Sequence, residues 1–509
     1  MKSLNIVNVI NFVRGCEPRE EADLVTPVLK ELELCGKYKI PGTFLLQYDA
    51  LLRDDITEVF LNSDNKSIEK GIWIEIVKPL CDAVGIPWRG RYDWDWYVDP
   101  GFLQSYTKEQ KTALLDELMR FFKEKFGEYP KVAGSWLFDS FSMQYLNDKY
   151  GMLAYTICRD QSGTDGYTLW GGYYNGGYYP NKNNMYIPAS DKNNQIDVPV
   201  FRMLSPDPIY QYYEKLDNQA EINKNDCLLY TLEPAWGEGQ NPKAVDWYFE
   251  NVMGKDSFGL CYAQIGQENS FSWELSKEGL PYQMEEISRL RSKGIAEIKT
   301  LGETGQIFKE TYSVTPPMLE SALNDWAENG MQSVWYCCKK YRVNLYNDGK
   351  KIYIRDIHLY GDDIVDVYLT DPCTQSHAEY RALPILDGFH GVQDNKELPG
   401  IFFGNGRIIG TYEEEGYHIV SINAENTAFT LKFTESGFSV KNTEKTEFSL
   451  KENIRVGAYA EIALSENYIS GKMQGTAYSV KVKCGKFKDG AIFSDKNGII
   501  EISCNGDNI

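Results

Sequence analysis

Short apolar runs alternate with amphipathic helical segments from the N-terminus to about Thr315, and this alternation limits the folds open to the chain. Strands that alternate with helices are joined by right-handed crossovers and form a mainly parallel sheet. We predict a distorted (β/α) barrel of seven or eight repeats over residues 1–315. Its predicted strands are 4–12, 43–48, 72–76, 132–138, 152–158, 198–203, 228–232, 258–265 and 295–301.

Capping signals mark the predicted helices. Thr107 and Gln110 fit a capping box, and Gly127 stands where a C-terminal cap is expected. Asn241 and the proline after it open a second helix that stops near residue 254. A third is predicted over about 281–293, before Gly294.

The pattern changes after the sequence Thr-Pro-Pro at 315–317. A short helix is predicted around 319–329. Beyond it, alternating apolar and polar residues separated by turns such as Asn-Asp-Gly at 347–349 predict antiparallel strands. Residues 316–509 are therefore expected to form a β-sandwich-like C-terminal region, in one piece or in two pieces that divide near residue 399.

The net charge of −20 and the pI near 4.8 argue against nucleic acid as a partner. No apolar run approaches the ~20 residues that a membrane-spanning helix needs. The N-terminus is interpreted as a first strand, and the 11 cysteines show no C-x-x-C spacing. We therefore expect a cytoplasmic protein with reduced cysteines, and homo-oligomerisation is left open.

Carboxylates follow nearly every predicted strand of the barrel. Active sites of such barrels lie at the carboxyl ends of the strands, so these side chains are expected to converge on the barrel mouth. Taken singly, each is explained as well by a helix cap or a surface charge. The acidic residues, with one glutamine among them, are Glu17, Asp49, Glu75, Asp139, Asp160 with Gln161, Glu233, Glu268 and Glu303.

Tryptophans accompany several of these carboxylates. Trp136 precedes Asp139 by three residues, Glu233 lies close to Trp236, and Trp170 follows the acidic stretch that contains Asp165. An indole stacks on the C–H face of a sugar while a carboxylate or an amide such as that of Gln267 bonds its hydroxyls. A buried Trp beside a helix-capping Asp is the structural alternative for the pair at 136 and 139.

The four histidines, His358, His377, His390 and His418, all lie in the β-rich half. Without an imidazole in the barrel, we expect neither an Asp-His-His zinc site nor a Ser-His-Asp triad there. Acid/base chemistry would then depend on carboxylates, as in glycoside hydrolysis. No metal and no other cofactor is predicted.

The stretches GTFLLQYDAL, GSWLFDSFSMQYL, CRDQSGTDGYTLWGG, VPVFRMLSPDPIYQY and GQENSFSWE resemble an uncharacterised bacterial family within the glycoside hydrolase/deacetylase barrel superfamily. This resemblance covers about residues 1–315 and implies the barrel fold. The chain is also similar to glycoside hydrolase family fifty-seven, whose nucleophile ends a W-x-x-E strand. Here Asp139 replaces that glutamate, GQENSF does not align cleanly with the family's Asp-Gly-Glu motif, and the histidines of its first motif are absent.

These features predict a metal-free glycoside hydrolase that acts on an oligosaccharide. Asp139 is expected to be the nucleophile or base, and Glu268 the acid, with Glu233 as the alternative partner. A non-catalytic sugar-binding barrel and a polysaccharide deacetylase-like enzyme are the alternatives. The residues expected to hold the sugar are Glu17, Asp49, Glu75, Trp136, Asp165, Trp170, Trp236 and Gln267.

Overall fold

A computed structural model describes residues 3–63, 65–164, 166–211, 231–392 and 398–505. In this part of the chain, seven parallel strands form the barrel sheet in the spatial order β10, β1, β2, β3, β4, β5, β9. They are β1 (Leu4–Val13), β2 (Gly42–Leu46), β3 (Ile68–Trp73), β4 (Val132–Gly134), β5 (Ala154–Cys158), β9 (Val200–Met203) and β10 (Leu260–Ile265).

Four further strands belong to this half of the chain. A hairpin follows β5, the short strand β8 pairs antiparallel with β9, and the short strand β11 pairs parallel with the inner strand β1. The strands are β6 (Gln161–Thr164), β7 (Tyr167–Trp170), β8 (Gly177–Tyr178) and β11 (Glu297–Lys299).

Helices surround the barrel. The capping box of Thr107 and Gln110 is present at α6, and Gly127 ends that helix with φ +84°. The α-helices are α1 (Thr26–Tyr38), α2 (Tyr48–Leu51), α3 (Asp54–Leu61), α4 (Lys78–Ala83), α5 (Val98–Gly101), α6 (Lys108–Phe126), α7 (Ser140–Tyr150), α8 (Pro242–Val252), α9 (Trp273–Ser276), α10 (Gly279–Ser292) and α11 (Leu301–Thr311). Short 3₁₀ helices cover Leu103–Ser105, Gly237–Gln240 and Val367–Leu369.

Side chains close the barrel between β9 and β10. The amide oxygen of Gln264 accepts the Leu204 N–H at 2.7 Å, and the Ser205 hydroxyl bonds both the Gln264 backbone N–H (2.6 Å) and its carbonyl (2.9 Å). One residue further on, Pro206 forms an isolated bridge with Thr231. Among the described residues, this seam therefore depends on two polar side chains, whereas backbone ladders join the other neighbouring parallel strands.

From β12 onward the strands pair antiparallel, except β16, which pairs parallel with β7 of the hairpin. The C-terminal strands are β12 (Met318–Ala322), β13 (Gln332–Cys337), β14 (Tyr341–Asn347), β15 (Lys351–Leu359), β16 (Ala378–Arg381), β17 (Leu383–Asp387), β18 (Gly400–Glu414), β19 (Tyr417–Ala424), β20 (Thr427–Thr434), β21 (Gly437–Asn442), β22 (Ser449–Asn453), β23 (Glu461–Leu464), β24 (Tyr468–Met473), β25 (Thr476–Cys484), β26 (Lys486–Lys488), β27 (Ala491–Phe493) and β28 (Ile499–Ser503).

The predicted fold class is confirmed: a distorted (β/α) barrel is followed by a β-rich region. The helix predicted around 319–329 is wrong, because the first part of that stretch is strand β12, paired with β13 and bridged through Leu319 to Phe258. Tertiary pairing overrides local helix preference there. The strand predicted over 228–232 lies mostly outside the described residues.

Charged side chains join the barrel to the β-rich region. Arg342 on β14 contacts Asp160 after β5 at 2.6 Å and Asp356 on β15 at 2.9 Å, and all three side chains are buried. Arg202 on β9 also contacts Asp160, at 2.8 Å. The rings of Tyr174 and Trp335 stack in parallel 4.1 Å apart across the same boundary.

Among the described helices, none combines the length and the apolar character needed to cross a membrane.

Candidate active site

Arg14 is the centre of the charged cluster at the barrel mouth. It follows β1 directly, and its Nη2 lies 3.2 Å from Oε2 of Glu75 and 3.2 Å from Oε2 of Glu268. Its guanidinium lies 4.0 Å from the ring centre of Trp94. All four side chains are buried. Because both oxygens contact one nitrogen, they can be separated by at most twice 3.2 Å.

An aromatic cluster lies beside these charges. The ring centres of Phe12 and Trp73 are 4.5 Å apart, and Trp136 lies 5.6 Å from Phe12 and 5.1 Å from Trp73. The indole N–H of Trp73 donates to Oε2 of Glu75 at 2.7 Å. Trp136 is half-buried, so part of this residue remains accessible. An aromatic surface beside fixed carboxylates suits the amphipathic faces of a sugar ring.

Gln267 connects Glu268 with Glu233. Its amide oxygen accepts the backbone N–H of Glu268 at 2.8 Å, and its Nε2 donates to Oε1 of Glu233 at 3.4 Å. The hydroxyl of Ser270 donates to Oε1 of Glu268 at 2.5 Å. The structure therefore brings three of the predicted residues together. Gln267 and Glu268 follow β10, and Glu233 lies two residues after Thr231.

Gly266 allows this approach. It has φ +117°, and a Cβ there would lie 2.1 Å from the carbonyl oxygen of Ile10 on β1. Only glycine tolerates this combination of conformation and close backbone contact. The turn that presents Gln267 and Glu268 consequently depends on the absence of a side chain at 266.

Buried amides near the strand ends have unused hydrogen-bonding atoms. Within the described chain, four such atoms have no hydrogen-bond partner: Oε1 and Nε2 of Gln47, Nδ2 of Asn11 and Nε2 of Gln161. Buried polar atoms are nearly always satisfied by protein, water or a ligand. Gln47 and Gln161 follow β2 and β5, and Asn11 lies near the carboxyl end of β1. Such donors and acceptors suit a polyhydroxylated molecule.

Glu17 and Asp49 lie close to the Arg14 cluster. The Arg19 guanidinium donates to Glu17 at 2.8 Å, and although burial opposes it, hydrogen bonding to Arg19 holds the pKa of Glu17 below its usual value. Asp49 accepts the Gly15 N–H at 3.0 Å, and burial raises its pKa. Both of these predicted sugar-binding residues have protein partners in place.

Asp139 has a different environment from Glu75 and Glu268. It caps α7, accepting the Ser142 N–H at 2.9 Å and the Ser142 hydroxyl at 2.8 Å, and it pairs with Lys111 at 3.2 Å. Both side chains of the ion pair are fully buried. These are contacts of a helix cap and a structural ion pair, and the catalytic role predicted for Asp139 stays a prediction.

The remaining predicted residues are dispersed. Trp170 is almost fully buried and its indole donates to Asp387 at 3.0 Å. Trp236 is half-buried and packs against Phe271 with ring centres 5.1 Å apart. Asp165 lies outside the described residues. Their predicted role in binding sugar stays a prediction.

Arg14 and Trp73 are the main functional candidates that the sequence reasoning missed. The sequence pattern drew attention to carboxylates after the predicted strands, whereas Arg14 is a single arginine at the end of an apolar run, in FVRG. A positive charge directly after a predicted apolar strand was the available signal. Trp73 was placed within a predicted strand, where its indole N–H contact to Glu75 could not be anticipated.

The side chains of the barrel mouth do not form the ligand set of a metal-dependent deacetylase. Within the described ranges, no three His, Cys, Asp or Glu side chains are grouped so that they could hold a metal ion. The mouth combines an arginine with carboxylates and amides, and an adjacent guanidinium competes with a cation for the same oxygens. No chemical step is therefore derived through a metal.

No protein-family model matches the sequence, and no curated protein matches it. Among solved structures, the chain is similar to one described as a candidate glycoside hydrolase/deacetylase from Parabacteroides distasonis. The identity is 15%, the TM-score is 0.52, and the match covers 75% of this chain and 91% of that one. At this identity the likeness establishes the shared fold.

A second similar structure is described as a candidate polysaccharide deacetylase from Mycobacterium smegmatis. It has 10% identity and a TM-score of 0.32, and the match covers 60% of this chain and 90% of that one. At this TM-score we draw no conclusion from it.

Proposed function

We propose that the protein is a glycoside hydrolase whose reaction takes place at Arg14, Glu75 and Glu268. The observation that carries this proposal is the pair of carboxylates held by one guanidinium beside the Phe12, Trp73 and Trp136 rings. Paired carboxylates flanking the scissile bond are the usual machinery of glycoside hydrolysis.

Glu75 is the nucleophile in this proposal. Its Oε2 accepts the Trp73 indole N–H and contacts Arg14, and both interactions favour a carboxylate anion in a fixed position. Such an anion can attack the anomeric carbon and stabilise the positive charge that develops on the sugar ring.

Glu268 is the acid and then the base. Arg14 and the hydroxyl of Ser270 hold this carboxyl group beside Glu75. In its acid form Glu268 would donate a proton to the leaving oxygen, and its carboxylate would later take a proton from the attacking water. Glu233, linked through Gln267, is the alternative partner of Glu268.

The geometry favours retention of anomeric configuration. The two oxygens that contact Arg14 Nη2 are separated by at most twice 3.2 Å. Inverting enzymes separate their carboxyl groups by roughly 6.5–9.5 Å, whereas retaining enzymes use about 5 Å. Nuclear magnetic resonance of the first product formed, before mutarotation, would report the anomer.

The decisive experiment is hydrolysis of a panel of oligosaccharides and aryl glycosides by the full chain. We expect Glu75→Gln to lower kcat by several orders of magnitude, and azide to restore turnover as a glycosyl azide, since a small anion can replace a missing nucleophile. Glu268→Gln should affect poor leaving groups most, because activated aryl glycosides need little protonation.

Glu20→Gln is the matched control, because it removes the same charge from an exposed position close to the mouth. It should retain normal turnover. Saccharide binding without hydrolysis by the native chain would instead favour the non-catalytic sugar-binding barrel. Normal turnover in Glu75→Gln would move the nucleophile to another carboxylate.

A further inference from the structure

The hairpin β6–β7 carries a second cluster of reactive side chains. β16 joins this hairpin as a third strand, with Glu379 opposite Thr168 and Arg381 opposite Trp170. Residues paired across a sheet share a face, and neighbours along a strand point to opposite faces. Thr168, Trp170, Glu379 and Arg381 therefore share one face. Ser162 lies on the same side, because Ser162 contacts His390 and Trp170 contacts its neighbour Asp387.

Ser162 bonds a histidine from the β-rich region. Its Oγ lies 3.2 Å from Nε2 of His390, a residue 228 positions away in the chain. The other ring nitrogen, Nδ1, lies 3.0 Å from Oδ2 of Asp387. The second oxygen of Asp387 accepts the backbone N–H groups of His390 at 2.9 Å and Phe389 at 3.0 Å.

Asp387 fixes the roles of these atoms. Burial by itself would raise its pKa, but the imidazole of His390 and the surrounding hydrogen bonds hold the pKa of Asp387 well below its usual range. An ionised carboxylate only accepts hydrogen bonds, so Nδ1 of His390 is the donor. When the imidazole is neutral, Nε2 carries the lone pair that faces the Ser162 hydroxyl, which is the tautomer that a general base requires.

We propose that Ser162, His390 and Asp387 form a second active site that hydrolyses a carboxylic ester with a small acyl group. A nucleophile, a base and a group that orients the base are present at hydrogen-bonding distances, which is the geometric test for such a site. The serine is supplied by the barrel and the other two residues by the β-rich region.

In the proposed reaction, Oγ of Ser162 attacks the carbonyl carbon while its proton passes to Nε2 of His390. The ester's C–O bond then breaks, and the alcohol leaves with the proton from His390. Water next attacks the acyl-serine, again giving its proton to Nε2, and the carboxylic acid is released as Oγ recovers a proton. Ester and water are the only reactants consumed.

Arg381 supplies a donor for the substrate. Its side chain is 9% exposed, and in the described part of the chain its Nη1 is buried without a hydrogen-bond partner. Its guanidinium lies 4.2 Å from the ring centre of Tyr459, which is 5.6 Å from that of His390. A buried cationic N–H on this face suits the negative charge that develops on a carbonyl oxygen.

Aromatic rings restrict the space around His390. The ring centres of Trp170 and Phe389 lie 4.5 Å and 4.9 Å from that of His390. Ser162 is 6% exposed and the His390 side chain 13%. With rings this close to the imidazole and little of either side chain exposed, the site suits an acetyl-sized acyl group better than a bulky one.

The test combines a serine-directed fluorophosphonate with hydrolysis of p-nitrophenyl acetate by the full chain. We expect peptide mass spectrometry to find the label on Ser162. Ser162→Ala should abolish both labelling and enzymatic ester turnover, and His390→Gln should lower both by at least about 100-fold.

His377→Gln is the matched control. His377 also bonds a hydroxyl of the same hairpin, Thr168 Oγ1, at 3.2 Å, yet it is not part of the triad. This variant should keep both labelling and turnover. Folding of every variant is checked by thermal unfolding, and if His390→Gln does not fold, Ser162→Ala decides. A native chain unlabelled at Ser162, or ester turnover that survives in Ser162→Ala, would overturn the proposal and leave the bond as a structural tie.

Discussion

A single substitution at Asp139 can distinguish a structural role of this residue from a catalytic one, because its carboxylate forms a buried ion pair with Lys111. Asp139→Asn leaves the ammonium of Lys111 buried without its charge partner, which typically costs about 3–5 kcal/mol in the free energy of unfolding. We expect a lower urea midpoint and, per folded molecule, turnover within a few-fold of normal. A loss of several orders in kcat with unchanged stability would instead establish the nucleophile predicted from the sequence.

Glu320 predicts a pH dependence of stability. It is buried on β12 with Asn175 as a donor at 2.8 Å, and burial raises its pKa from 4.5 to about 8. The folded state therefore holds a proton that the unfolded chain releases, and stability falls between about pH 4.5 and 8. The slope is up to about 1.4 kcal/mol per pH unit.

Glu320→Gln should remove this slope, since an amide preserves the shape and does not ionise. Urea unfolding at pH 5 and pH 8 measures it, and the comparison is between the two proteins at each pH. An identical fall in stability for both proteins would assign the dependence to other buried carboxyl groups, such as Asp366, whose pKa burial raises to about 7.

At the level of elements, the turn after β10 depends on Gly266. In Gly266→Ala the new methyl group would meet the Ile10 carbonyl at 2.1 Å, so β10 must move away from β1 and carry Glu268 with it. We expect glycosidase activity to fall at least about tenfold, because small displacements of catalytic groups are costly.

Gly127→Ala provides the comparison for that variant. Gly127 also has a positive φ, +84°, but a Cβ there meets nothing within 4 Å. It should lower stability by about 1 kcal/mol through backbone strain and leave turnover unchanged. Equal losses of activity in both variants, measured on folded protein, would contradict the role assigned to the turn.

The elements themselves were largely accessible from the sequence. The apolar runs located six of the seven parallel strands well because they are buried on both faces, and the capping residues bounded α6. The site was harder. Arg14 contacts Glu75 and Glu268, 61 and 254 residues away, and Ser162 meets His390 across 228. Local patterns carry no information on such contacts, which arise only when the barrel closes and the β-rich region packs on it.

At the scale of the whole molecule, Arg342 ties the two regions together. We expect an isolated 1–315 fragment not to fold cooperatively, because it lacks the guanidinium beside Asp160 and exposes the Tyr174 ring that stacks on Trp335. Circular dichroism and thermal unfolding of the fragment would test this.

A point variant tests the same tie without removing the β-rich region. Arg342→Met removes the charge between Asp160 and Asp356 but keeps an unbranched side chain, and we expect a loss of about 3–5 kcal/mol in one cooperative transition. A fragment with a sharp transition of its own, together with two separate transitions in the variant, would show that residues 1–315 are an independent domain.

The seam between β9 and β10 is the place where the spacing of two barrel strands can change with the sequence. Where a backbone ladder joins two strands, their spacing is the same for every sequence, but in the described part of this seam it depends on the lengths of Ser205 and Gln264. The segment that carries Glu233 is bridged to the β9 side, and Glu268 follows β10. Replacement of Ser205 or Gln264 can therefore change the distance between Glu233 and Glu268. The width of the cleft can thus evolve without any change in the number of strands.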